Sequence, residues 1–479
     1  MKTVSKYQAL LLSFFLFVVD QPLLGQFTPQ DLRDTTIQAD YVFVTPPEYL
    51  STIEPLAAFR VDHNEFSVAM ALTDSIYSQF GQEIPADSAI REFATFALMN
   101  WQEPVPQYFL LVGNVNTLPS HKEPGFEFID EDSIMVDQWF VEGVADTVSF
   151  IHPAAAVGRF PAIDISQLET MVTKTLPYET LINTPWVQRS IVVADYDPNI
   201  GSIYESIAFA WNDSLAHIWN DTVTVHVRET SPLHRTVEEF LDLVAEGAGW
   251  VSLLGYNEWY FFSKSMYFTT WDVDSLENYD LLPLWILESS QRFERTDTFA
   301  VGMNLMQLSR RGAVAVLSPT GHIFLLDFTS FALDFISEMV EYPTRSIGSN
   351  LLSVKRRRQG HSTRITTLLG DPALVIHNPT TTVPPAPPLP ENFTLHQNYP
   401  NPFNPETSIS IEIPRSSRVS LKVHDILGRE IATVVNETLP AGTHTYKIDS
   451  RKLHLSTGVY FYRMHADGAT YTRKMIVLQ

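Results

Sequence analysis

The chain has 479 residues, 45% of them hydrophobic, no cysteine and a formal net charge of −23. That length can bury a large core without covalent staples, and the missing cysteine excludes disulfides, thiolate metal sites and thiolate nucleophiles together. From Asn392 onward ten Lys and Arg stand against seven Asp and Glu, which leaves residues 26–391 at −27, an acidic surface that repels phosphate backbones and excludes nucleic acid as a partner.

At the amino end, Lys2 and Lys6 precede an apolar run from Ala9 to Val19 broken only by Ser13. This is the layout of a secretory signal, expected to end at Gly25, and it is too short to span a bilayer. No later stretch is apolar enough for a transmembrane span, so the protein is expected outside the cell. Residues 26–38 form a short N-terminal segment.

Beyond it, short apolar strands alternate with helix-length segments. Tyr41-Val42-Phe43-Val44 and Tyr108-Phe109-Leu110-Leu111-Val112 belong to a first α/β series, residues 39–184. A second series, residues 185–377, runs through Ser190 to Ala194, Trp250 to Leu254, Leu284 to Leu287 and Ala313 to Leu317. Strands separated by helices predict two consecutive, mainly parallel α/β units. Residues 378–391 are a Pro-rich spacer, since Pro384, Pro385, Pro387, Pro388 and Pro390 favour extended backbone. Residues 392–479 alternate in period two over Ser408–Pro414, Val419–Asp425, Thr443–Ile448 and Val459–His465, which predicts an immunoglobulin-like β-sandwich.

The tail carries Asn398-Tyr399-Pro400-Asn401-Pro402-Phe403-Asn404-Pro405, then Val423-His424-Asp425-Ile426-Leu427-Gly428-Arg429, Ser456-Thr457-Gly458-Val459-Tyr460 and a terminal Lys474-Met475-Ile476-Val477-Leu478. In these motifs it resembles the type IX (Por) secretion sorting domain. The resemblance implies recognition by the type IX machinery, followed by attachment to the cell surface or release.

The body carries Tyr41 to Leu50, Leu110-Leu111-Val112-Gly113, Val157-Gly158-Arg159-Phe160-Pro161, Gly247-Ala248-Gly249 and Leu369-Gly370-Asp371-Pro372-Ala373. In their order and spacing they resemble the gingipain-type cysteine peptidases, whose fold is related to that of the caspases. The resemblance implies a cysteine nucleophile at one strand end and a histidine, in a Gly-His-Gly-Ser pattern, at the neighbouring one. It implies no catalytic cofactor, and calcium as a structural ion.

Both reacting groups are replaced. The histidine pattern reads Gly255-Tyr256-Asn257-Glu258-Trp259, and a phenol, titrating near pH ~10, is a poor base at neutral pH. The nucleophile segment reads Leu282-Pro283-Leu284-Trp285-Ile286-Leu287-Glu288-Ser289-Ser290, so ungapped counting puts Ser290 at the cysteine position, whereas aligning on Phe293 puts Glu288 there. Tyr256 and Ser290 therefore mark degenerate positions, and no catalytic residue is expected. A serine needs a base, and His322 in Ser318-Pro319-Thr320-Gly321-His322 is the nearest candidate for a rescued dyad with Ser290.

The remaining features have ordinary readings first. Lys355-Arg356-Arg357-Arg358 is expected to be a solvated face at a helix end. Asp130-Glu131-Asp132, and Asp195 with Asp197, offer oxygen ligands for calcium without a complete loop pattern. Trp259, Tyr260, Phe261, Phe262, Trp271 and Trp285 are core or a groove for a peptide or glycan. The expectation is a non-catalytic binding or scaffold module for an extracellular peptide or protein ligand, with an active peptidase using Ser290 as the alternative.

Overall fold

The structure is a computed structural model that describes residues 28–124, 133–143, 152–181, 184–196, 202–219, 221–255, 257–258, 260–263, 265–288, 300–358, 360–376, 393–398, 401–415, 417–426, 428–439, 442–453, 455–466 and 469–477. It divides into two compact units, Met1–Pro379 and Thr380–Gln479.

In the larger unit the first series gives β1 (Tyr41–Thr45), α1 (Leu50–Asn64), β2 (Val68–Leu72), α2 (Thr73–Phe80), α3 (Ala86–Asn100) and β3 (Tyr108–Val112). A hairpin of β4 (His121–Pro124) and β5 (Ser133–Val136) follows, then β6 (Ala156–Phe160) and α4 (Ile165–Leu181). The second series gives β7 (Arg189–Ala194), α5 (Ile203–Leu215), β8 (Asp221–His226), α6 (Val237–Ala245) and β9 (Trp250–Leu254). Three short strands, β10 (Asn257–Glu258), β11 (Phe261–Phe262) and β12 (Phe268–Thr269), form a separate sheet. The unit closes with β13 (Leu284–Leu287), α7 (Val301–Gln307), β14 (Ala315–Pro319), α8 (Leu325–Glu341), α9 (Ile347–Arg357), α10 (His361–Ile365) and β15 (Thr366–Leu369).

The two series join in one ten-stranded sheet of order β2-β1-β3-β6-β15-β14-β13-β9-β7-β8. β15 runs parallel to β6 and antiparallel to β14. Each half is therefore parallel internally, while the halves point in opposite directions and expose their strand carboxyl ends at opposite edges. Helices cover both faces, so strands alternate between two cores: Trp285 and Leu287 of β13 face one cluster, Leu284 and Ile286 the other.

The Leu369-Gly370-Asp371-Pro372-Ala373 segment pins the halves together. Gly370 sits at φ +143°, and a Cβ there would lie 2.8 Å from the Ala315 Cβ, so only glycine fits. Asp371, fully buried, accepts hydrogen bonds from Tyr41 Oη at 2.7 Å, Ala373 N–H at 2.8 Å and Arg60 Nε and Nη2 at 2.9 and 2.8 Å. Arg60 also pairs with Glu179 at 2.9 Å. Burial and the Asp371 carboxylate push the Tyr41 phenol well above its ordinary value. In the same way Arg159 of β6 forks onto both Asp137 oxygens at 2.7 Å and donates to the Gly113 and Leu118 carbonyls.

In the basic run at the end of α9, Arg356 and Arg357 are exposed, as expected of a solvated face, and Lys355 departs from it. Lys355 is 9% exposed and donates to the Thr366 carbonyl at 2.6 Å. Arg356 holds the Pro153 and Ala154 carbonyls, Arg357 pairs with Glu338, and Arg358 pairs with Asp334 at 3.0 Å. Lys355 and Arg356 tie the helix end to backbone carbonyls, and Arg357 and Arg358 tie it to carboxylates of α8.

In the smaller unit the strands of both sheets pair antiparallel. β16 (Thr394–Leu395), β17 (Glu406–Ile413) and β20 (Gly442–Asp449) make one sheet; β19 (Glu430–Leu439), β18 (Ser417–His424), β21 (Gly458–Ala466) and β22 (Ala469–Val477) make the other. Ile409 and Ile411 from the first sheet and Val419, Leu421, Tyr462 and Met475 from the second share one core. The opening motif is anchored there: the Tyr462 hydroxyl accepts the Asn398 N–H at 2.7 Å, and Asn401 Oδ1 accepts the Ile476 N–H at 2.8 Å.

Candidate functional site at the strand carboxyl edge

Parallel strands of an α/β sheet gather loops at their carboxyl ends, which is where such proteins place their sites. In the second half, β14, β13, β9, β7 and β8 are consecutive neighbours running the same way. Thr320 and His322, Glu288, Gly255, Asp195 and His226 therefore share one edge in that order.

Gly255 lies between two carboxyl groups. A Cβ on it would stand 2.2 Å from the Asp195 Cβ and 3.0 Å from Asp195 Oδ2, which explains the glycine. Its N–H donates to the Glu288 carboxyl, whose own N–H donates to the Leu253 carbonyl at 3.2 Å. Glu288 is 6% exposed. Burial pushes its carboxyl well above the usual carboxylate range, against the smaller opposing pull of the Gly255 N–H.

Asp195, 1% exposed, accepts at Oδ1 from the Ser263 hydroxyl at 2.7 Å and the Tyr196 N–H at 2.7 Å. Tyr256, Ser290, Asp197 and the Asp130-Glu131-Asp132 run lie outside the described residues. Among the described residues no group of three or more His, Asp or Glu is placed to hold a metal ion, and Asp195 already serves hydrogen-bond donors. His322 is half-buried, and its carbonyl accepts from His361 Nε2 at 3.1 Å.

A second histidine at this edge escaped the sequence reading. His226 ends β8 beside Ala194, and its Nδ1 lies 2.7 Å from Ser231 Oγ and 3.3 Å from Glu205 Oε1. Arg228 forks onto Glu205 at 2.8 Å on both oxygens. Burial holds the His226 imidazole below its ordinary value, outweighing the pull of Glu205. The strand Thr222-Val223-Thr224-Val225 before it alternates only β-branched residues, and that is the signal by which it could have been found.

The structure sorts the aromatic group. Phe262 and Trp285 are buried, with Phe268 stacked on Trp285 at 5.8 Å between centroids. Tyr260 and Phe261 are half-buried at 4.7 Å from each other, and Trp271, 6.3 Å from Tyr260, is 60% exposed. Trp259 lies outside the described residues.

Comparison with known proteins gives the same frame. The profile of peptidase family C25 matches residues 34–377, and that of the secretion system C-terminal sorting domain matches residues 397–478. The crystal structure of the Arg-specific cysteine proteinase gingipain R is similar at a TM-score of 0.59 and 15% identity, over 94% of this chain and 100% of that one. The complex of RgpB pro- and mature domains from Porphyromonas gingivalis is similar at 0.58 and 14%, over 91% and 100%. At these identities the likeness concerns the fold alone. No curated protein matches the chain. No helix among the described residues is long and apolar enough to cross a membrane, and the sorting tail indicates export by the type IX route to the surface or beyond. The chain belongs to peptidase family C25 and ends in a secretion system sorting domain.

Proposed function

We propose that this protein is a secreted or surface-held member of family C25 that binds a peptide or protein ligand at the carboxyl edge of β9 and β13 without cleaving peptide bonds. The observation that carries the reading is the state of the Glu288 strand end, in a chain that has no cysteine anywhere. The segment where the family places its thiolate offers Ser290, or else Glu288, whose carboxyl is buried, titrates above the usual carboxylate range and is bonded to Gly255. Tyr256 stands where the family has its histidine. Peptide hydrolysis needs both a nucleophile and a group to protonate the leaving nitrogen.

Trp271, with Tyr260 and Phe261, supplies aromatic surface beside that edge for a polypeptide to rest on. We read residues 1–25 as a signal peptide, the two body series as subdomains, and the tail sheets as an immunoglobulin-like sandwich that addresses the chain to the type IX machinery. A second reading, hydrolysis by Ser290 with His322, is favoured by the position of His322 at the end of β14 on the same edge. Isothermal titration of the full secreted chain against a mixed-sequence peptide library, with product analysis, tests the first reading. It expects bound and intact peptide, and absence of binding would sink it.

A further inference from the structure

The turn after β11 builds a hydrogen-bonded chain of three side chains at this edge. Ser263 is 1% exposed and holds φ at +72°, with Met266 at +54° three residues on, both in the left-handed region that non-glycine residues rarely adopt. In that conformation Ser263 Oγ donates to Asp195 Oδ1 at 2.7 Å and lies 2.7 Å from Ser265 Oγ. Because the Ser263 proton is committed to the carboxylate, the Ser265 hydroxyl is the donor in the second contact. The Ser265 N–H also donates to Ser263 Oγ, at 3.2 Å. Ser265 is exposed, whereas Asp195 and Ser263 are sealed from water. The result is a solvent-facing hydroxyl whose proton points inward along a relay to a carboxylate, leaving its lone pairs outward.

We infer that Ser265 is a nucleophile toward activated esters, with Ser263 as its proton relay and Asp195 as the final proton acceptor. This goes beyond the binding role proposed above and does not depend on it, because an aryl ester expels a stable aryloxide and needs no proton on its leaving group, unlike a peptide. As the Ser265 Oγ bond to the acyl carbon forms, the Ser265 proton passes to Ser263 Oγ and the Ser263 proton to Asp195 Oδ1. The bond between the acyl carbon and the aryl oxygen breaks, and its electron pair leaves with the aryloxide. Water then attacks the acyl carbon. The Asp195 proton returns through Ser263 to the departing Ser265 oxygen, which restores the Asp195 carboxylate, and the product leaves as a carboxylate after both protons of the attacking water have passed to solvent.

The test is labelling of the full secreted chain by an alkyl fluorophosphonate, with the adduct located by mass spectrometry and the label rate followed over time. The inference expects one adduct per chain, on Ser265, and none in Ser265→Ala. Ser263→Gly relieves the left-handed backbone and so keeps the turn, yet cuts the relay; its labelling is expected to be roughly a hundredfold slower. No adduct, an adduct on Ser290 or elsewhere, or wild-type labelling of Ser263→Gly each overturns the inference. Peptide binding is measured on the same samples, so loss of labelling and loss of binding are separate results.

Discussion

Glu288 carries a pH signature that follows from its burial. Its carboxyl titrates higher in the folded chain than in the unfolded one, so between those two values the folded state holds the extra proton. Stability therefore falls as pH rises from the ordinary carboxylate range toward the raised folded value. Glu288→Gln keeps an acceptor for the Gly255 N–H and removes the titration. The variant is expected to match the wild type at pH ~4 and to melt higher at neutral pH, as scanning calorimetry across that range would show; a lower Tm at neutral pH would mean that the charged carboxylate is being used. Sequence alone placed Glu288 at one of two alignments and gave no hint of its raised titration, because burial among β9 and β13 is a property of the assembled sheet. The partners of His226 and of the Ser263-Ser265 pair were invisible for a similar reason: Glu205 and Asp195 lie 21 and 68 positions away.

Among the elements, the strands that were legible are those with a long apolar run. β1, β3, β7, β9, β13 and β14 were read within a few residues, since burial on both faces leaves continuous Val, Ile and Leu. β2, as Val68-Ala69-Met70-Ala71-Leu72, has a single β-branched residue and alternates with alanine, and β15 has four residues directly behind α10. The opposed directions of the two halves rest on β15, whose pairing no local pattern encodes. What holds that junction is Asp371 with Arg60 and Tyr41. Asp371→Ala leaves Arg60 buried with Glu179 as its remaining carboxylate and is expected to cost about 3–5 kcal/mol, measured as a drop in the denaturation midpoint of the full chain; a loss under ~1 kcal/mol would show that the cluster is replaceable. Lys174 and Lys355 are each pushed down to about 7 by burial. Both bind fewer protons folded than unfolded above that value, so stability should rise from pH ~7 toward ~10. Replacing both by Met should flatten that slope in a pH series of melting temperatures, and an unchanged slope would assign it to other groups.

For the whole molecule, the proposed division of labour gives ligand binding to the acidic C25 body and the export address to the mildly basic tail. Removing residues 397–479 is expected to keep the body inside the producing cell's envelope, and fusing them to an unrelated exported reporter to bring it to the surface, read by protease shaving of intact cells. Surface exposure of the truncated chain would contradict the role of the tail. The central claim is that a family C25 fold works here without cutting peptide bonds. Its most direct test is turnover of a broad fluorogenic peptide library by the full secreted chain beside its Ser290→Ala variant: the account predicts no cleavage by either protein, and cleavage by the wild type that disappears in Ser290→Ala would contradict it.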